Sequence, residues 1–281
     1  MAILSIQSRV AFGHVGNSAA EFALRRLGHD VWPVDTVRFS NHPGYGRHRG
    51  EAAEPDEIAA LVDGIGAIDA FDQCDALLSG YLGSVATGEA VLSQWGKAHK
   101  AAPRAIYCCD PVLGDAREGL YVAEDLVAFY RDRALPQADI FLPNTFELGV
   151  LTGGETADID AVLAAARSLL ARGPKIVIVT SLRLADRDSS LIGTLMVGGD
   201  GAWLVSTPEV ECRAKGAGDL LTALWLGRYL VSGDGAESLS LAVSSVFGLI
   251  RAAGGKPELP LAAAQDEIVA PSEVFRADSI A

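Results

Sequence analysis

Positive charge is scarce in this chain of 281 residues: 23 Lys and Arg stand against 36 Asp and Glu, a formal net charge of −13. A nucleic-acid surface needs a concentrated basic face, so that class of partner is excluded, and any anionic ligand must be met by local groups. Cysteine is also sparse. The four cysteines include the adjacent pair Cys108 and Cys109 and no Cys-x-x-Cys spacing, so neither a zinc site nor a secreted disulfide framework is indicated. No apolar run reads as long enough to span a bilayer, and the opening MAILSIQS has no basic leader before the polar Gln7-Ser8 pair, which points to a cytoplasmic protein. Two phosphate-binding signatures are missing as well: there is no Gly-x-x-x-x-Gly-Lys-Ser/Thr loop, and no Gly-x-Gly-x-x-Gly follows a strand.

What the chain has is apolar residues, 49% of the total, enough for one large core. The runs 2–6, 30–34, 74–80, 105–110, 138–143 and 175–181 are short and apolar, as buried parallel strands are. Helical periodicity fills the gaps between them, and the alternation predicts a single α/β domain over residues 1–281. Its sheet is expected to be mostly parallel and doubly wound, with helices on both faces. SSLIGTLMV and AWLVST, joined by GGDG at 198–201, predict an antiparallel hairpin at one edge, followed by helices over 218–231 and 236–253. In such sheets ligands sit beyond the carboxyl ends of the strands, where this chain carries polar, glycine-rich stretches.

One stretch stands out: KGAGDLLTALWLGRYL, residues 215–230, sets two glycines and an aspartate before an apolar helix. Gly216 and Gly218 allow a sharp turn that points successive N–H groups outward, and the helix adds its positive end, which makes an anion hole. Asp219 stands where a base could take a proton from an attacking hydroxyl. On these residues alone a helix cap and a tight turn are the better explanation of Asp219 and the glycines, since Gly-x-Gly-Asp is short and common. Asp110 reads by itself as a strand-end turn with Pro111, and Glu147 as an exposed helix charge. His42, Cys74, Asp72 and Asp75 lack ligand spacing and give no metal site.

The segments SIQSRVAFGHVGNSAAEF, VDTVRFSNHPGYG, LLSGYLGS, YCCDPVLGD, PNTFELGVLTG and GAGD, in this order, resemble pyridoxal kinases of the ribokinase-like superfamily. The resemblance implies the three-layer α/β fold of that superfamily and ATP-dependent phosphorylation of the 5′-hydroxyl of pyridoxal. It also implies magnesium, often potassium, and a homodimer. Carried over by position, Asp219 is the base, and the amides of Gly216, Ala217 and Gly218 form the anion hole. Ser8 meets the pyridine ring, and Val15, Phe39 and Tyr81 wall it. Asp110 and Glu147 position magnesium, Asn144 and Thr180 contact ATP phosphates, and Asp115 belongs to a loop over the nucleotide. Pro43 replaces the threonine usual after Ser-Asn-His and so removes a hydroxyl near the substrate. Ala217 replaces a common threonine, and the connection TPEVECRAK is shorter than in relatives, which bears on the adenine pocket. The competing expectations are a hydroxymethylpyrimidine kinase of the same fold and a non-catalytic vitamin B6 carrier.

Overall fold

The computed structural model describes residues 1–154, 156–185 and 188–280. In chain order the elements are β1 (Ala2–Phe12), α1 (Asn17–Arg26), β2 (Asp30–Asn41), β3 (Gly50–Ala52), α2 (Pro55–Gly66), β4 (Cys74–Ser79), α3 (Val85–Ala101) and β5 (Ile106–Cys109). Next come β6 (Gly114–Asp115), β7 (Gly119–Leu120), α4 (Glu124–Phe129), β8 (Ile140–Phe141), α5 (Thr145–Thr152), α6 (Ile159–Leu170), β9 (Ile176–Leu182), β10 (Leu191–Gly198) and β11 (Gly201–Pro208). The chain closes with α7 (Ala217–Ser232), α8 (Gly235–Ala253), α9 (Asp266–Val269) and β12 (Asp278–Ser279).

Ten strands form one sheet in the order β12-β11-β10-β9-β8-β5-β4-β1-β2-β3. The central run from β2 to β9 is parallel throughout. From β1 the chain winds one way to β2, then returns past β1 to β4 and continues outward, so the topological switch lies between β1 and β4. Successive strand residues feed opposite faces. Leu4, Leu77, Tyr107, Cys109, Val177 and Val179 join the core under α2, α3, α4 and α6, whereas Ile3, Ala76, Leu78, Cys108 and Ile178 join the core under α1, α7 and α8. That period of two, with both faces apolar, is why the strands read as continuous hydrophobic runs.

Four expectations need correction. β1 and β2 run on to Phe12 and Asn41, well past the apolar cores at 2–6 and 30–34, so Ser8 and Phe39 lie inside strands rather than in loops after them. The polar tails are held by ladder bonds to each other and by β3, which the apolar pattern does not reveal. The β10–β11 hairpin is present, but β12 pairs with β11 and takes the edge. Helical periodicity between the runs 105–110 and 138–143 predicts one regular helix, but α4 ends at Phe129 and a wider π-helical turn carries Tyr130–Ala134. Finally, α8 is long and apolar enough by composition to cross a membrane, yet most of it is buried, packed on α7 and the sheet.

Where β1, β2 and α1 meet, the core is polar. Asn17 is fully buried; its amide donates to Asp35 Oδ1 at 2.9 Å and to the Val34 carbonyl at 3.1 Å, and its Oδ1 accepts from Ser5 Oγ at 2.7 Å. Gln7 Nε2 donates in turn to Ser5 Oγ at 2.9 Å, and Arg9 joins Asp35 and Glu21. A buried hub of this kind fixes the relation of the strands to α1 because each orphaned partner carries a desolvation cost. Asn17→Ala should therefore lower unfolding stability by about 2–4 kcal/mol. Urea unfolding checks this: a midpoint shift at unchanged slope is expected, and a change under about 0.5 kcal/mol would remove the hub from this role.

Candidate active site

The loop after β1 and Asp110 after β5 meet the first turns of α7, and the ends of β8 and β9 are joined to each other nearby through Asn144 and Thr180. Gly216 caps that helix in the left-handed conformation, φ 87°. A Cβ there would lie 1.9 Å from the His14 carbonyl oxygen, so only glycine lets the turn seat against the β1–α1 loop. Leu220 N–H is the first to bond within the helix, to Gly216 O at 3.0 Å, and no side chain caps the end. The amides of Ala217, Gly218 and Asp219 precede that bond and have no helical acceptor, which makes a positive, donor-rich opening for an anion.

Three carboxylates surround this opening. Asp110, just past β5, is buried and accepts from Thr222 Oγ1 at 2.9 Å; Thr222 sits one turn beyond Asp219 on α7. Burial first, then the nearby charges of Glu147 and Asp219, pushes the Asp110 carboxyl well above the usual carboxylate range. Glu147 is also buried, at 3% exposure, which corrects its reading as a solvated helix charge. It closes a capping box on α5: Asn144 Oδ1 accepts from the Glu147 amide at 2.9 Å, and Glu147 Oε2 accepts from the Asn144 amide at 2.7 Å. Its Oε1 accepts from the Leu113 amide at 2.8 Å and the Gly114 amide at 3.3 Å. Burial still raises the Glu147 carboxyl above its ordinary value, with these amides working against the rise.

Asp219 keeps part of its surface open to the cleft, but the packing around its carboxyl raises its pKa from 3.8 to about 6, with the Gly16 amide offsetting part of the shift. The remaining sequence-predicted residues gather around these acids. Asn144 and Thr180 are joined by a parallel bridge, and Asn144 Nδ2 donates to Gly114 O at 2.8 Å. Asp115, on the β6–β7 hairpin, accepts from the amides of Arg117 and Glu118 and from the Tyr121 hydroxyl. Burial opposes ionisation of Asp115, yet the Tyr121 hydroxyl and the two amides together hold its carboxyl below the usual range.

On the other side of α7, the β1–β2 register slips between Gln7 and Arg9, so that Thr36 and Val37 stand opposite Ser8. Such an irregularity re-aims side chains at a sheet end. Thr36 Oγ1 donates to the Tyr81 carbonyl at 2.6 Å, which ties the loop after β4 to this point. The Ser8 carbonyl and hydroxyl lie 2.2 and 2.4 Å from where a Gly16 Cβ would stand, so Ser8, Gly16 and Asp219 form one neighbourhood. Val15 is buried beside Gly216. Phe39 is half-buried with its ring against His48, centroids 4.6 Å apart. Pro43 is exposed and opens a short 3-10 turn, Pro43–Tyr45, capped by His42 Nδ1, which accepts from the Gly44 amide at 3.0 Å. Its position is explained by turn geometry, since proline presets the φ of a first turn.

Several site residues escaped sequence reasoning. Lys215 donates to Glu118 Oε1 at 2.7 Å and so links the β6–β7 hairpin to the residue before Gly216. A lone basic residue directly ahead of a glycine turn in an acidic chain was the available signal. Thr222 was readable as the next turn of α7 on the face of Asp219, and Asn144-Thr-Phe-Glu147 has the spacing of a capping box. Among the described residues no group of three or more His, Cys, Asp or Glu is close enough to cage a metal alone. The crowding of desolvated acids nonetheless suits a hard cation that keeps waters and takes further oxygens from a ligand. Asp110 is the carboxylate available to it; Glu147, occupied by three amides, would act through water.

The raised Asp219 pKa has a stability consequence. Its folded value lies above the unfolded one, so the protonated form is favoured in the native state, and stability is lost as pH rises from about 4 through about 6. Asp219→Asn should be neutral below pH 4 and stabilising above pH 6, by about 1 kcal/mol once the exposed part of the carboxyl is discounted. Thermal melts at pH 4 and pH 8 check this; equal changes at both would contradict it.

A family model described as phosphomethylpyrimidine kinase matches residues 55–253. A pyridoxal kinase of Deinococcus radiodurans is 46% identical over 286 residues, covering 99% of this chain and 96% of that one. A pyridoxal kinase of Rubrobacter xylanophilus is 46% identical over 276 residues, covering 97% and 95%. Among solved structures, pyridoxal kinase from Leishmania donovani in complex with ADP and pyridoxamine superposes with a TM-score of 0.94 at 29% identity, covering 100% and 99% of the two chains. With the carboxylates, the uncapped helix and the switch-point cleft in place over the same length, the chain belongs to the pyridoxal kinase family.

Proposed function

We propose that this enzyme transfers the γ-phosphoryl group of ATP to the 5′-hydroxyl of pyridoxal and releases pyridoxal 5′-phosphate. The carrying observation is kinship along nearly the whole chain to pyridoxal kinases, one of them known with ADP and a pyridoxal-type ligand. In this reading Ser8 hydrogen-bonds the pyridine ring, which lies among Val15, Phe39 and Tyr81, and Pro43 borders the entrance. Asp219 takes the proton from the 5′-hydroxyl, while the amides of Gly216, Ala217 and Gly218 receive the transferring phosphoryl group. Base and anion hole then sit on one turn, which is the positioning that phosphoryl transfer demands.

The nucleotide lies on the side of Asn144 and Thr180, whose neutral groups contact its phosphates, and the Asp115 hairpin folds over it to exclude water. Magnesium would supply neutralisation of phosphate charge, and Asp110 and Glu147 are the acidic residues that would position it, directly or through water. Potassium is the monovalent ion we expect to assist. The support is chemical: desolvated acids next to free amides are costly until a cation and phosphates share the space. We also take residues 1–281 as one kinase domain that works as a cytoplasmic homodimer, in keeping with the single sheet that links all the core strands.

A second reading, phosphorylation of a hydroxymethylpyrimidine at the same base and anion hole, is kept open by the match to a family described as phosphomethylpyrimidine kinase. Turnover with pyridoxal, pyridoxine, pyridoxamine and the pyrimidine, compared side by side, separates the two. Pyridoxal should be used with ATP, and exclusive use of the pyrimidine would reverse the assignment; no turnover at all would favour the carrier.

Two substitutions test the roles. Asp219→Asn keeps the size of the side chain but cannot accept the proton, so turnover should fall roughly 10²- to 10⁴-fold while ATP binding is retained. Near-parent turnover would remove Asp219 as base. Asp110→Ala should raise the magnesium concentration needed for half-maximal rate and leave pyridoxal binding without ATP unchanged. Loss of pyridoxal affinity with an unaltered magnesium requirement would place Asp110 on the wrong side of the cleft.

A further inference from the structure

Glu258 follows α8, is half-buried, and belongs to none of the groups assigned above. Its two carboxylate oxygens reach two different loops. Oε1 accepts from the Tyr45 hydroxyl at 2.6 Å, and Oε2 accepts from the His14 amide at 3.2 Å. Tyr45 sits at the tip of the β2–β3 connection, where the Phe12 ring meets it edge-on with centroids 6.1 Å apart. His14 belongs to the β1–α1 loop, whose carbonyl packs on Gly216 and whose Gly16 amide supports Asp219. Gly13 makes room for the bridge: a Cβ there would lie 2.5 Å from Glu258 Oε2. One carboxylate thus spans the outer loop and the β1–α1 loop on which the anion turn packs.

We propose that Glu258 is a positioning residue that latches the β2–β3 loop to the β1–α1 loop supporting the anion turn, so that closure of the outer loop is tied to the backbone that aligns the anion hole. The Tyr45 loop stands over the cleft, with a Gly44 Cβ position only 3.6 Å from Lys215 Cε, so a flat substrate entering from this side displaces it. Closing restores the Tyr45 hydrogen bond to a carboxylate that already holds the His14 amide, and this standing bond fixes the backbone against which Gly216 turns. Burial of little surface is involved, so the bridge can open and close with substrate without unfolding its neighbours. The latch rests on the reading of this cleft as the pyridoxal and ATP site.

The two ends of the bridge are separable. Tyr45→Phe removes only the outer bond and should raise KM for pyridoxal about three- to tenfold, with kcat within about twofold and KM for ATP unchanged. Glu258→Ala removes both bonds and should also lower kcat. Added to Glu258→Ala, Tyr45→Phe should have no further effect on KM, because the bond it deletes is already gone. Hydrogen exchange of the free protein supplies a readout without turnover: the His14 amide should be protected in the parent and in Tyr45→Phe, and should exchange about tenfold faster in Glu258→Ala. Additive effects on KM, or His14 exchange that ignores Glu258, would overturn the latch. If the parent failed to use pyridoxal, the assigned reaction would fall, while the exchange rates would still decide whether the bridge exists.

Discussion

Crowding of negative charge at the end of one helix is the constraint on which the site depends. Asp110, Glu147 and Asp219 are packed where water is scarce, and each is pushed toward its protonated form by that desolvation. The Thr222 hydroxyl on Asp110, the Gly16 amide on Asp219 and the amides around Glu147 work against that desolvation, and the amides at the start of α7 face the same space. The fold therefore holds a site that is strained electrostatically on its own, and in the function proposed above phosphates at the amides and a cation at the acids would relieve it. Asp219 near pKa 6 is a natural outcome, a carboxylate ionised at neutral pH yet basic enough to accept a proton.

The scaffold keeps these groups in place by means unrelated to their chemistry. The capping box locks Glu147 into α5, so its burial is fixed by backbone amides rather than by a neighbouring charge. The Asn17 hub fixes α1 to β1 and β2, and thereby the loop that lies under Gly216. The slip in register at Ser8 turns the end of β1 toward the cleft and brings the Tyr81 loop in through Thr36. Each device lies at the carboxyl end of a strand near the topological switch, which is where a doubly wound sheet leaves its crevice.

Much of this was legible in the sequence. Apolar runs of a few residues separated by helical periodicity identify the parallel strands, because burial on both faces leaves no polar positions in them. Gly216 and Gly218 stand out as a flexible turn ahead of an apolar helix, whereas Asp219 by itself reads as a helix cap and becomes a base only through the resemblance. What escaped depends on partners distant in sequence. The polar ends of β1 and β2 are strands only because they pair with each other and with β3, and β12 exists only because β11 offers an open edge. Glu147 looks solvated until Leu113 and Gly114 are folded over it. Pro43 was read through a missing hydroxyl, whereas its visible role is to begin a tight turn. The roles of Ser8, Phe39 and Tyr81 at the ring come from resemblance alone, since no periodicity distinguishes a ring wall from a core.

The central claim is that one turn of chain, Gly216 to Asp219, presents both the anion hole and the base to a single reacting oxygen. A crystal structure with magnesium, a non-hydrolysable ATP analogue and pyridoxal tests this most directly. The γ-phosphate should accept hydrogen bonds from the amides at the start of α7, with the Asp219 carboxylate on the pyridoxal 5′-hydroxyl and Asp110 turned to the metal. A γ-phosphate held away from α7, or a 5′-hydroxyl paired with a group other than Asp219, would contradict it.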